Sequence, residues 1–175
     1  FASVVHAIPI VRLELPNTRF FAGDTLALHV FVDGVVDFHP ELGWDEILAF
    51  GFDLGFDPSQ FAYGGAVVAS PFLDDSDSIA DTDVAGSAFP GVSGDNILLA
   101  SLTFTALLSG NFSIGIISDM NDQFEGLLSW VYAPIDMTDS VTVKVGPVPE
   151  PSTIVLVTAG LASLTALRRR TRKER

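Results

Sequence analysis

The sequence predicts an all-β domain, an antiparallel two-sheet sandwich over residues 8–145, joined to one transmembrane helix near the end of the chain. Eight or nine short runs alternate apolar with polar residues, which is the period of a half-buried strand. Turn-forming Gly, Pro, Asn and Asp separate them at regular spacing. Helical periodicity is nearly absent before residue 152. A chain of 175 residues has room for one such core and little else.

The first strand runs from Ile10 to Leu15, with Val11, Leu13 and Leu15 on one side and Arg12 and Glu14 on the other. Pro16-Asn17 and then Ala22-Gly23-Asp24 turn the chain before a strand over 25–33, whose inner face is Leu26, Leu28, Val30 and Val32. Residues 40–46 read as a loop. From Ile47 to Phe56, large groups (Leu48, Phe50, Phe52, Leu54, Phe56) alternate with Ala49, Gly51, Asp53 and Gly55. That predicts one core face and one flat face of bare backbone with a single carboxylate.

Asp57-Pro58-Ser59 is a capped turn. The strand over 61–70 carries Gly64-Gly65, the mark of a bulge. Alternation fails over 70–95, which reads as one long acidic surface loop. It resumes over 96–106, with Leu98, Leu102 and Phe104 inward, and Ser109-Gly110-Asn111 turns it into a hairpin partner over 112–117. A weaker strand over 124–132 and a closing strand over 140–145 complete the domain.

Residues 152–167 are sixteen positions without charge or proline, apolar around the whole helical circumference. At 1.5 Å per residue they cover about 24 Å, a minimal span that arginine snorkelling extends. Residues 1–167 hold three cations against 21 acids, a net −18, and residues 168–175 hold six against one, a net +5, giving −13 for the chain. Basic flanks stay cytoplasmic, so Arg168, Arg169 and Arg170 form the membrane stop of a cytoplasmic tail and the acidic domain lies outside. Such a domain has no basic patch for phosphates, which excludes nucleic acid as a partner. The absence of cysteine excludes disulfides, thiolate metal sites and a Cys nucleophile. Phe1 to Ala7 reads either as the end of a signal peptide, with Val5 and Ala7 as the small residues before the cut, or as a lead-in to the first strand.

Pro149-Glu150-Pro151, the apolar segment after it and the closing arginines resemble the carboxy-terminal sorting signal of PEP-CTERM proteins. The resemblance covers 148–175, with a linker over 146–151. It implies a Gram-negative exported protein anchored in the inner membrane with its domain in the periplasm. An exosortase-type protease would then sort it to the cell surface or beyond. Two prolines make the triplet extended and donor-poor, a segment a protease can thread. Gly23-Asp24-Thr25, the run Phe50 to Ser59, and Leu98 to Phe104 followed by Gly110-Asn111-Phe112 resemble a cohesin-type jelly roll, a fold shared with several cellulose-binding modules. That resemblance implies a binding module, with polysaccharide or a dockerin-like protein as partner.

Candidate chemistry is sparse. His6, His29 and His39 show no metal-ligand spacing. Gly91-Val92-Ser93-Gly94 is not a nucleophile elbow. Asp45-Glu46 and Asp74-Asp75 could flank a glycosidic bond, the basis of an alternative reading as a secreted hydrolase. Asp74, Asp75, Asp77, Asp81 and Asp83 are either a calcium site or a solvated loop, and no EF-hand template fits them. No cofactor is expected. Trp44, Tyr63, Trp130 and Tyr132, with Trp130 and Tyr132 two apart on a strand, could stack sugars, and with Asp53 on the flat sheet face Trp44, Trp130 and Tyr132 are the candidate ligand surface. The reading is a non-catalytic binding module, with the hydrolase and a purely structural matrix protein as alternatives.

Overall fold

The computed structural model describes residues 8–35, 45–132 and 134–148. Eleven strands are described: β1 (Ile10–Glu14), β2 (Phe20–Phe21), β3 (Thr25–Asp33), β4 (Ile47–Gly55), β5 (Phe61–Val68), β6 (Leu73–Asp74), β7 (Val84–Val92), β8 (Ile97–Ala106), β9 (Gly110–Ile117), β10 (Gly126–Ser129) and β11 (Asp139–Gly146). They form two sheets. One has the order β1-β3-β8-β5, and the other β2-β11-β9-β4-β7-β6, with β10 also paired to β4.

Alternation explains the inner faces. Leu26, Leu28, Val30 and Val32 of β3 are all buried, as are Leu102, Phe104 and Ala106 of β8. The other sheet answers with Phe50, Phe52, Ile114, Ile116, Val143 and Val145. Aromatic edges cross the gap: Phe61 meets Phe112 at 5.7 Å and 86°, and Phe104 meets Phe56 at 5.3 Å and 65°. Such edge-to-face pairs add about 0.5–1.5 kcal/mol beyond the area they bury. The first strand packs Val11, Leu13 and Leu15 against this core, and the Gly64-Gly65 bulge appears as a register shift between Tyr63 and Gly65.

The structure departs from the sequence reading at several points in the sheets. The 70–95 stretch is not one loop: it holds β6, a 3-10 turn (Ser76–Ser78) and the nine-residue strand β7. The strand was hidden because small residues replace large apolar ones; Gly86 faces inward, where a Cβ would stand 2.8 Å from the Phe50 ring. Leu98 opposes Phe31 on the outer face, because a bulge in β8 turns Leu99 inward instead. β8 and β9 are not a hairpin, since the short turn crosses from one sheet to the other and alternation is the same in either case. The weak strand is confined to Gly126–Ser129. Finally, the sheets are not purely antiparallel, because β2 runs parallel to β11.

Pro149, Glu150 and Pro151, the 152–167 segment, and Arg168, Arg169 and Arg170 lie outside the described residues, as do Trp44, His6 and His39. Among the described residues no helix is long and apolar enough to cross a membrane.

Candidate binding surface

β4 is the central strand of its sheet and sends Ala49, Gly51 and Asp53 outward. Gly51 is nevertheless buried, because the backbone of Phe124 lies over it: a Cβ there would overlap the Phe124 carbonyl oxygen and sit 3.4 Å from Thr82 Cγ2. The flat bare face expected from the sequence is therefore covered at its centre.

The cover is a built loop. The Asp119 carboxylate accepts from the Asn121 amide (2.9 Å) and Nδ2 (2.8 Å), which holds it below the usual carboxylate range. Asp122 accepts the Phe124 amide at 2.8 Å. Glu125 turns inward to 4% exposure and accepts the Asp119 amide; burial, reinforced by Asp53, Asp122 and Asp119, pushes its carboxyl up.

Asp53 is tied down as well. Its Oδ1 accepts the Asp83 amide at 3.2 Å, while Asp83 Oδ2 accepts the Leu54 amide at 2.9 Å. The two aspartates staple β4 to the approach of β7. Asp74 accepts from the Ser76 amide (3.1 Å) and hydroxyl (2.7 Å), and Asp75 from the Ser87 hydroxyl (2.5 Å). Asp77 and Asp81 are exposed. Among the described residues no three acidic or histidine groups converge on a point where a metal ion could sit. His29 Nδ1 lies 2.8 Å from the Ser101 hydroxyl, an ordinary structural pairing. An open cavity of about 350 Å³, lined by Thr18, Arg19, Phe20, Phe21, Lys144 and Gly146, has no carboxylate in its wall.

Trp130 and Tyr132 do not share a strand face, because β10 ends at Ser129 and both lie in the bend after it. The bend is fixed by the Trp130 amide donating to the Glu46 carbonyl (3.1 Å), Val131 to Asp45 (3.3 Å) and Tyr132 to the Ser129 hydroxyl (3.0 Å). Tyr132 is half-buried and Trp130 is 61% exposed. Trp130 is not alone: Leu128 lies opposite Ala49 on the outer face, Phe124 covers the next outward position of β4, and Met120 is exposed in the same segment. Across β4, Phe89 of β7 is almost wholly exposed. The sequence reading missed Met120, Phe124, Leu128 and Phe89. Their signal was large apolar residues without either period, where folding gives no reason to bury them.

Comparison with known proteins agrees with this architecture. Residues 147–170 match the PEP-CTERM protein-sorting motif. The sandwich is similar to the cohesin module of a family 33 glycoside hydrolase from Clostridium perfringens, at 8% identity and a TM-score of 0.56, covering 80% of this chain and 98% of that one. It is also similar to a type I cohesin-dockerin complex from Clostridium thermocellum (11% identity, TM-score 0.53, 78% and 99% covered). A third similar structure is the sixth cohesin of scaffoldin B from Acetivibrio cellulolyticus, solved with a dockerin (11%, 0.52, 78% and 99%). At these identities the likeness shows the fold. No curated protein matches the chain.

Proposed function

We propose that this chain is an exported, membrane-tethered binding module, sorted at its carboxy terminus by an exosortase-type protease. Before sorting it is anchored in the inner membrane of a Gram-negative cell, with the sandwich in the periplasm; sorting delivers the sandwich to the cell surface or the extracellular polysaccharide matrix. The observation that carries this reading is the junction: β11 ends at Gly146 and the matched sorting motif begins at residue 147, so no further domain separates binding module from signal. The span over 152–167 and the arginines after it supply the anchor and its orientation.

The binding surface in this reading is the covered face of β4, where Phe124 of a loop held by its own carboxylates, Leu128 of β10 and Trp130 of the bend after it are exposed. Trp130 and Tyr132 lie in the bend after β10, so the strand alternation that suggested a shared sugar platform does not apply to them. Exposed Met, Phe, Leu and Trp are the composition of a protein interface, so the partner is a protein, dockerin-like by analogy with the structural neighbours. A hydrolase draws no support from the cavity, whose wall offers no acid or base pair.

Expression of the full chain in a host with and without the sorting protease, followed by the mass of the carboxy-terminal peptide, tests the sorting step. Loss of the Arg-rich end only where the protease is present is expected. An intact Arg168-to-Arg175 end in both hosts overturns it.

A further inference from the structure

Only three cations precede residue 168, and the structure uses them differently. Arg12 is paired with Glu14 (2.7 Å) and Asp33 (3.0 Å) and lies 4.9 Å from the Phe31 ring. Arg19 and Lys144 are in no ion pair among the described residues. Both instead line the 350 Å³ cavity where β2 runs alongside β11, with Thr18 and the partly exposed Phe21 beside them. Asp24 stands at this corner with its carboxylate accepting the Phe21 amide at 2.8 Å, so Arg19, Lys144 and Asp24 together leave the corner at +1. In a segment of net charge −18, two cations converging on one open cavity rather than on carboxylates make a local positive potential that suits an anion.

Its place in the chain says which anion. Gly146 in the cavity wall is the last residue of β11, and the six residues from there to Ser152 reach no further than about 20 Å when extended. With the anchor proposed above, the tether keeps the cavity within about 20 Å of the bilayer, and the remaining, acidic surface is repelled from an anionic leaflet. We propose that Arg19 and Lys144 bind the phosphate of an anionic phospholipid headgroup, docking the sandwich on the membrane by its basic corner until sorting releases it. This rests on the anchoring reading above. Phe21, apolar and 40% exposed beside the two cations, suits insertion at the boundary between headgroups and acyl chains. Each basic residue at an anionic surface strengthens attachment by about fivefold, and the attachment weakens with salt.

The chain has two lysines, Lys144 and Lys173, so lysine acylation followed by peptide mapping reports the cavity and the tail separately. The full chain is reconstituted in vesicles of phosphatidylcholine, or of phosphatidylcholine with one-third phosphatidylglycerol, and flotation shows whether it is anchored. The expected result is equal flotation, with Lys144 acylated about fivefold more slowly on the anionic vesicles, and that protection lost in Arg19→Gln. Arg19 is exposed, so its replacement leaves the fold intact, which far-ultraviolet circular dichroism checks. Equal Lys144 labelling on both vesicles, or protection that survives Arg19→Gln, overturns the proposal while leaving anchoring in place. Equivalent protection by soluble glycerol phosphate on neutral vesicles assigns the cavity to free phosphate esters and overturns membrane docking. A chain that fails to float sinks the anchoring reading, and docking with it.

Discussion

Asp33 closes the four-stranded sheet against Arg12, whose Nε donates to Oδ2 at 3.0 Å, while the Asn96 amide donates to Oδ1 at 2.8 Å. The Arg12 hydrogen bond, more than any other cause, holds the Asp33 carboxyl below its usual value. A depressed carboxyl contributes stability above its unfolded value and loses it as pH falls through the folded one. Asp57, Asp119 and Asp136, each accepting from a residue two positions on, act in the same direction. Glu125 acts oppositely: its raised carboxyl costs stability above the folded value and returns it as pH falls. The midpoint of thermal unfolding is therefore expected to fall below about pH 4, and Asp33→Asn to flatten that fall. After solvent screening the pair is worth at most about 1 kcal/mol, so an unchanged slope in Asp33→Asn would assign the acid sensitivity to the turn carboxylates. Arg12 and Glu14 on one side of a strand were legible from alternation. The Arg12 to Asp33 pair was not, since it needs the register of β1 on β3.

Among the elements, β3 and β11 could be read directly, because each is a half-buried strand with one clean apolar face. β4 could be read only in part: its alternation predicted the core side from Phe50 onward, but not the bulge that buries Ile47 in place of Leu48, nor that the chain at Phe124 folds back across the other side. Gly51 makes that return possible. Gly51→Ala places a methyl against the Phe124 carbonyl, so it is expected either to destabilise the domain by about 1–3 kcal/mol or to lift the loop. Thermal unfolding, together with hydrogen exchange at the Phe124 and Glu125 amides, distinguishes the two. Unchanged stability with unchanged protection would mean the loop does not rest on β4. β7 was illegible for the opposite reason: the Phe50 ring fills the space beside Gly86, its partner on the neighbouring strand, so that position must be small, and small residues leave no hydrophobic period.

Over the whole chain, charge is divided between an acidic sandwich and a basic end, and the proposed anchoring uses that division to set orientation. Replacing Arg168, Arg169 and Arg170 with Glu removes the asymmetry that sets orientation. On the proposed anchoring the sandwich is then expected to lose its periplasmic placement, measured as protease accessibility in spheroplasts. Unchanged accessibility would mean these cations do not set topology. The sequence by itself determined the all-β class, the inner faces of its clearest strands and the sorting motif, because each is written in contiguous residues as a period or a pattern. Only the tertiary structure decided that Gly51 is roofed by Phe124, that Asp53 and Asp83 staple two strands, and that Arg19 and Lys144 share one cavity. Those meetings join residues 30 to 125 positions apart, and their spacing along the chain carries no trace of the sheet order that brings them together.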